Sequence, residues 1–393
     1  MPPDKRVPLN PKQCRLLETR YPHVKIIVQP SPIRAFKDEE YAAEGIELAE
    51  DLSVCDIIMG VKEVNVKDLI PNKKFMFFSH TIKKQPYNRD LLRAIVDRHI
   101  QLIDYEALKN SSNKRVIGFG RYAGIVGCYN GILTYGLKHG LFQLIPANQC
   151  VDRKQVEEEL ARVQFPSTLK IVLTGYGRVG HGAREILDQL PIKEVSPEEF
   201  LTQEFSEAVY THLDAEDYYA RRSDGGFDKA DFYANPQEYK CTFSRFLSKS
   251  DLYIPCHFWS DKADFIIKKD DLKAPDLRLS VVADISCDID CAIASTIRPS
   301  TIADPIYGYN PQTGLEDDWR KEGVLAVMAV DNLPCELPKD ASEDFGNELL
   351  KEVMPALLLD DKDNIIARGS ETNLEGKLTE QFAYLENYLM GKE

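Results

Sequence analysis

Short apolar runs recur through the first third of the chain, at residues 24–28, 57–61, 75–79, 100–103 and 115–118. Polar, helix-prone stretches at 38–48 and 88–98 lie between them. Apolar segments this short are of strand length. Their alternation with helical pattern predicts βαβ units and a mostly parallel sheet covered on both faces. A longer run, 123–141, carries glycines within a helical pattern and predicts a helix connecting two domains. Residues 155–163 read as an amphipathic helix leading into a second α/β unit, which starts at the apolar strand Lys170-Ile171-Val172-Leu173-Thr174. Later strands are expected at 192–196, 252–255, 279–284 and 323–330. The Asp/Glu/Tyr-rich stretch 214–239 reads as a surface insertion, and 374–390 as a packing helix that closes the fold.

The strand at 170–174 runs directly into Gly175-Tyr176-Gly177-Arg178-Val179-Gly180 and then into helix-forming Ala183-Arg184-Glu185-Ile186-Leu187. A strand, a Gly-x-Gly-x-x-Gly turn and a helix, in that order, form the fingerprint of dinucleotide binding. Gly175 permits the tight turn and Gly177 admits a pyrophosphate close to the backbone. Gly180 lets helix and strand pack, while the first N–H groups of the helix point at the phosphates. Arg178 and Val179 belong to the same cofactor-binding turn. A second glycine stretch, Gly118-Phe119-Gly120-Arg121-Tyr122-Ala123-Gly124, has the wrong spacing and side chains too bulky for a pyrophosphate, and reads as an elbow between domains.

At 393 residues the chain exceeds one ordinary core, so two domains are expected. No run approaches a membrane span. The first residues lack the apolar segment of a secretion signal, and nine cysteines follow no repeating pattern. Together these predict a soluble protein with reduced thiols in the cytoplasm. The net charge of −14 argues against a nucleic-acid partner. Residues 1–125 nonetheless carry 21 Lys and Arg against 16 Asp and Glu, a basic lobe in an acidic chain. Such a lobe suits a small ligand with several carboxylates, although scattered solvated side chains would give the same count.

Within that lobe, Gly60-Val61-Lys62-Glu63-Val64 and Phe77-Phe78-Ser79-His80-Thr81 each put titratable groups at the end of an apolar strand, where ligands of parallel sheets bind. Alone, a strand-end histidine serves structure as readily as chemistry, and Lys62 could equally pair with a neighbouring carboxylate. The two segments are matched in kind by Gln29-Pro30-Ser31, Arg34-Ala35-Phe36 and Leu102-Ile103-Asp104-Tyr105-Glu106. Downstream stand Asp284-Ile285-Ser286-Cys287-Asp288-Ile289 and Val330-Asp331-Asn332-Leu333-Pro334, with Phe345-Gly346 beyond. Taken together, these motifs resemble the alanine dehydrogenase/transhydrogenase superfamily. Within it they look most like the lysine-forming saccharopine dehydrogenase branch, which includes lysine–ketoglutarate reductase domains.

The resemblance implies an α/β fold of two Rossmann-like domains with parallel sheets and an active site in the interdomain cleft. Residues 1–135 would form the substrate domain. Residues 136–330 would form the dinucleotide-binding domain, with an acidic insertion near 205–245. Residues 331–393 would return to the first domain. It implies Lys62 and His80 as the catalytic acid/base pair, with Arg6, Gln85, Glu106, Lys114 and Arg115 around the substrate. The implied activity is NAD(P)-dependent oxidation of saccharopine to L-lysine and 2-oxoglutarate, or the reverse. Histidine titrates near neutrality unperturbed and a lysine does so only when its value is lowered, which Glu63 and Glu106 would oppose. His80 therefore takes the principal acid/base role.

NAD versus NADP stays open. The second strand of the unit, as read from sequence, places Ser196 where NAD-binding domains carry an acid for the ribose, and no arginine follows it to take a 2′-phosphate. Asp284 and Ser286 read as contacts on the nicotinamide side. Cys287, Cys291 and Cys256-His257 lack the spacing of a zinc site, and no metal is expected. Two other readings remain: an alanine or other amino-acid/opine dehydrogenase of the same architecture, and a catalytically silent nicotinamide-binding protein. Oligomeric state is not readable.

Overall fold

The structure is a computed structural model that describes residues 3–289 and 291–392. It divides into two units. One comprises residues 3–119 together with 338–392, and the other Gly120–Leu337.

In the first unit a small parallel pair, β1 (Ile27–Val28) and β2 (Glu47–Leu48), accompanies a three-stranded parallel sheet in the order β3 (Ile57–Met59), β4 (Lys74–Phe77), β5 (Gln101–Asp104). Phe75 and Phe77 on one face of β4 pack with Leu91, Ile95 and Leu102. Met76 and Phe78 on the other face pack with Ile103, Tyr105, Phe345 and Leu349. Period-two alternation thus splits one strand between two apolar cores. The helix Pro338–Glu348 supplies Phe345, and Phe382, Leu385 and Tyr388 of the tail bury against Leu92 and Ala107. The tail is a 3₁₀ turn, Glu380–Leu385, and a short helix, Glu386–Leu389, rather than one continuous helix from 374.

The strand expected at 115–118 does not form. Arg115 makes a single bridge to Lys109, the Val116 N–H donates to the Leu108 carbonyl, and the Gly118 N–H donates to a Glu348 carboxylate oxygen at 3.0 Å. Its donors are consumed by a loop and a helix, so no sheet partner remains for it.

The second unit holds an eight-stranded sheet in the order β14-β13-β15-β12-β11-β6-β8-β7. Its strands are β6 (Lys170–Thr174), β7 (Lys193–Glu194), β8 (Val209–Leu213), β11 (Leu252–Pro255), β12 (Val281–Ala283), β13 (Ile306–Asn310), β14 (Leu315–Asp317) and β15 (Leu325–Met328). All neighbours run parallel except β13, which is antiparallel to both β14 and β15. One face carries Val172, Val209, Tyr253, Val282 and Val327 in a large core with Phe200, Phe243 and Phe246.

The unit boundaries fall at 119/120 and 337/338 rather than at 135 and 330. The reason lies in the glycine-bearing helix, Gly120–His139, which packs within the second unit over its length. A Cβ at Gly124 would overlap the Val179 carbonyl, and one at Gly131 would stand 2.6 Å from the Ala283 Cβ. These glycines serve close helix packing, not a hinge.

The acidic region is also placed differently. Its first segment, β8, is fully buried and bonded between β6 and β7. A short antiparallel ribbon follows, β9 (Tyr219–Arg221) with β10 (Tyr239–Cys241). Tyr218, Tyr219, Phe232 and Tyr239 from this region join the main core, so the aromatics that looked like surface residues are internal.

Candidate active site

Lys62, His80 and Glu106 follow β3, β4 and β5, three adjacent parallel strands, and so stand side by side along one sheet edge. The carboxyl ends of parallel strands are the usual location for ligands in α/β folds. His80 adopts the left-handed backbone region, φ 55°, between buried Ser79 and Thr81. Its Nδ1 hydrogen-bonds to the Glu63 carboxylate. When the ring is neutral, Nδ1–H donates there and Nε2 is left as the basic nitrogen. Burial acts upward on the Glu63 carboxyl, but the His80 hydrogen bond and the Lys62 charge outweigh it and hold Glu63 below the ordinary carboxylate range.

Glu106 is flanked by Lys83 at 3.9 Å and Arg115 at 3.7 Å, and its second carboxylate oxygen is buried without a hydrogen-bond partner among the described residues. Beneath lies an aromatic floor of Phe78, Tyr105, Phe119 and Phe345, in which Phe119 stacks on Phe345 at 4.4 Å. Two arginines rest on it. Arg6 sits 4.1 Å above Phe119 and Arg115 sits 5.4 Å from Phe78. Arg6 is buried and grips Asp4 at two points, 3.0 and 2.6 Å. Burial acts upward on Asp4 as well, and the Arg6 contacts with the Lys62 charge outweigh it and lower it. The same field thus joins Asp4, Arg6, Lys62, Glu63 and His80.

Gln85 and Lys114 are placed apart from this group. The exposed Gln85 accepts from the Tyr87 hydroxyl through its side chain and from Tyr388 at 2.5 Å through its carbonyl. Lys114 is exposed on the turn 110–114, where its N–H donates to Asn110. Among the described residues no ion pair joins its ammonium to Glu106.

In the other unit the glycine turn has the form its sequence predicts. Gly175 has φ +96°, Gly177 is the N-cap of the helix Arg178–Leu187, and no side chain caps that end. The space beside Gly177 is open for 4 Å, whereas a Cβ at Gly180 would overlap the Gly175 carbonyl. An uncapped ten-residue helix behind an open glycine fits a diphosphate, because its first N–H groups and positive dipole end face the ligand. Arg178 and Val179 form the first turn of that helix.

The order of the strands beside the glycine turn is a correction. The strand hydrogen-bonded next to β6 is β8, and the residue after it is Asp214. Ser196 instead follows the exposed edge strand β7 and caps its own helix by bonding the Glu199 N–H at 3.2 Å. Sequence reading took β7 for the inner strand because β8 contains polar Thr211 and His212. His212 bonds the Gly175 carbonyl through Nε2 at 2.7 Å and stacks on Tyr176 at 3.8 Å. Asp214 accepts from Lys229 at 2.7 Å and from the Ala215 N–H at 2.8 Å. Asp284 ends β12 and is buried. It accepts from the Ser286 hydroxyl at 2.6 Å and from Thr296, so both it and Ser286 brace the loop that follows. Burial raises the Asp284 carboxyl despite those bonds.

Residues 1–126 match the family described as "Alanine dehydrogenase/PNT, N-terminal domain". Over those residues the chain is similar to the alanine dehydrogenase/transhydrogenase superfamily. This is a family of oxidoreductases. Among curated members, the alpha-aminoadipic semialdehyde synthase of Arabidopsis thaliana is 32% identical over 390 residues, covering 88% of this chain but 36% of that protein. The chain thus spans about a third of that relative. The L-lysine-forming, NAD(+) saccharopine dehydrogenase of Emericella nidulans is 28% identical over 389 residues, covering 92% and 91%. Among solved structures an L-alanine dehydrogenase superposes with a TM-score of 0.63 at 14% identity, over 99% of this chain and 97% of that one, which shows a shared fold.

Sequence reading missed Asp4, Asp104, Asp214 and Glu371. Asp104 carried a signal, since an aspartate inside a buried strand needs partners. Glu371 carried none.

Proposed function

We propose that this chain oxidises saccharopine to L-lysine and 2-oxoglutarate, or runs the reverse reductive condensation, with His80 as acid/base group. The observation that carries the reading is the alignment of Lys62, His80 and Glu106 on adjacent strand ends over a floor holding Arg6 and Arg115. The named relatives support it. Residues 3–119 with the return segment are the substrate-binding unit in this reading, and Gly120–Leu337 is the dinucleotide-binding unit.

Saccharopine joins a lysine side-chain nitrogen to the α-carbon of glutarate. Oxidation removes hydride from that carbon, and the resulting imine adds water and splits into an amine and a keto acid. A nicotinamide, when bound, supplies the hydride acceptor. The secondary amine must lose a proton before oxidation, water must lose one as it adds, and the departing amine must gain one. Nε2 of His80 relays these protons, with the Nδ1–H held by Glu63 so that one tautomer faces the reaction. Lys62, one strand over, acts as a charge beside the reacting nitrogen and water. Arg6 and Arg115 take substrate carboxylates, Arg by its two-point fork, and the partnerless oxygen of Glu106 receives an N–H of the amine.

For the cofactor, Asp214 after β8 favours NAD. A carboxylate there accepts the ribose hydroxyls and repels a 2′-phosphate. Burial acts upward on Asp214, but the bonds from Lys229 and Ala215 outweigh it and keep it ionised at neutral pH.

The deciding assay follows reduced nicotinamide by absorbance with saccharopine, lysine plus 2-oxoglutarate, and alanine, each with both dinucleotides. Turnover with saccharopine or its products is expected. Turnover with alanine alone would assign the second enzyme reading. Dinucleotide binding without turnover on any substrate would leave a silent binder.

A further inference from the structure

Below His80 lies a second polar cluster that the proposed chemistry does not use. Asp104 ends β5 and is fully buried, and Glu371, on the segment after the short helix Ile365–Gly369, is fully buried beside it. The Asp104 carboxylate accepts the Ser79 N–H at 3.0 Å, the Ser79 hydroxyl and the Glu106 N–H at 2.6 Å. Glu371 accepts the Thr81 hydroxyl at 2.6 Å, and its other oxygen lies 3.2 Å from the Ser79 hydroxyl oxygen, whose one proton goes to Asp104. The backbone N–H of Glu371 is tied to the Leu102 carbonyl at 2.8 Å, which locks its segment along β5. Both residues that flank His80 therefore hang from this carboxyl pair, as does the backbone of Glu106.

Two buried carboxylates this close cannot both be ionised, so the pair holds one proton. Asp104 accepts three donors, two of them backbone N–H groups, and is the better anion. Glu371 is the better acid, and burial together with the Asp104 charge pushes its carboxyl well up. Protonated Glu371 donates to Asp104 and accepts from Thr81. His80 meanwhile holds a left-handed backbone that a non-glycine residue keeps only when its surroundings over-determine it. Ser79 and Thr81, anchored downward on either side, force the histidine outward toward Glu63.

We infer that Glu371 is a positioning residue for His80, acting through Thr81, Ser79 and Asp104. The inference rests on the acid/base reading of His80 for its effect on turnover, but not for its effect on the imidazole itself.

The test uses the full chain and two substitutions. Glu371→Gln keeps the donor to Asp104, the acceptor for Thr81 and the net charge of the protonated pair. Glu371→Ala removes both bonds. With selectively labelled histidines, the His80 ring signals of Glu371→Gln should overlay the parent's, while those of Glu371→Ala should shift or broaden. In turnover assays well below the unfolding midpoint, Glu371→Ala should lose roughly 10–100-fold in kcat with dinucleotide affinity within about twofold of the parent, and Glu371→Gln should stay within about threefold. In a His80→Gln background, Glu371→Ala should cost little more, because its route of action is already gone. If Glu371→Ala does not fold, Thr81→Val carries the same comparison, since it breaks the Thr81 bonds to Glu371 and to the Ser79 hydroxyl and leaves the carboxyl pair in place. Unchanged His80 signals in the Ala variant would overturn the inference, as would equal losses in Gln and Ala, or additive losses with His80→Gln. If no substrate turns over, the proposed reaction fails while the histidine signals still decide this inference.

Discussion

Asp214 and Ser196 compete for the same role, and one substitution at each separates them. Asp214 follows the strand paired with β6, and Ser196 follows the edge strand. A 2′-phosphate placed roughly 5 Å from the Asp214 carboxylate would be repelled by about 3 kcal/mol per unit charge at an effective dielectric of about 20. The side chain is 28% exposed and Lys229 neutralises part of it at 2.7 Å, so about half of that survives, roughly 1.4 kcal/mol or tenfold. Asn is as good a helix N-cap as Asp, so Asp214→Asn should fold as the parent does. The expected result is a rise of about tenfold in the ratio of NADPH to NADH affinity, measured by quenching or calorimetry. Because the effect is electrostatic and the carboxylate is partly exposed, the parent's preference should shrink in high salt while the variant's should not. Ser196→Ala should leave the ratio within about twofold. A changed ratio in Ser196→Ala with none in Asp214→Asn would mean that the cofactor lies over β7, and the assignment from strand order would be wrong.

Three further outcomes follow from the same geometry. His80→Gln should lower turnover by about 10²–10⁴-fold without weakening dinucleotide binding, as measured by steady-state kinetics and calorimetry, and near-normal turnover would remove His80 from proton transfer. Gly180→Ala must push a Cβ into the Gly175 carbonyl and should weaken dinucleotide binding at least tenfold, whereas undiminished affinity would put the phosphates elsewhere. Burial pushes Glu336 up to about 7, beside Asn130 at 2.9 Å, so the folded state keeps a proton the unfolded chain has lost, and stability falls as pH rises from about 4.5 to about 7. Glu336→Gln should match the parent near pH 4.5 and be more stable by up to about 3 kcal/mol at pH 8, read by denaturant titration at both pH values.

Much of the fold is legible because its strands are apolar runs between helical stretches. β3, β4, β5, β6, β11, β12 and β15 all fall within or beside segments marked by hydropathy alone. What escaped was structure made from polar residues. β8 reads Val-Tyr-Thr-His-Leu, and both polar members are buried, although only His212 Nε2 gains a hydrogen bond, to the Gly175 carbonyl, which no local pattern announces. The error then propagated, since losing β8 promoted β7 to the inner position and put Ser196 rather than Asp214 after the strand beside β6. Conversely, 115–118 has the composition of a strand, but its bonds go to Lys109, Leu108 and Glu348 and build no ladder. Strand formation is a property of two segments, and only one of them is visible in a local window.

The site shows a similar division. Lys62 and His80 could be singled out because each follows a strand whose hydropathy marks its end, whereas Glu106 came from the family resemblance. Their partners could not. Arg6, Lys114 and Arg115 read as a cationic pocket, yet Arg6 is held by Asp4 and Arg115 by Glu106, and Lys114 lies on a separate turn. The arginines are therefore already paired, and a substrate carboxylate would bind by replacing one carboxylate partner with another. That exchange is physically reasonable in a buried setting. Buried Arg6 has lost its hydration on folding, so passing it between carboxylates keeps its charge compensated, whereas exposed Arg115 stays hydrated in either pairing. The basic excess of the N-terminal lobe thus appears here as paired charges ready to change partners rather than as a bare positive surface.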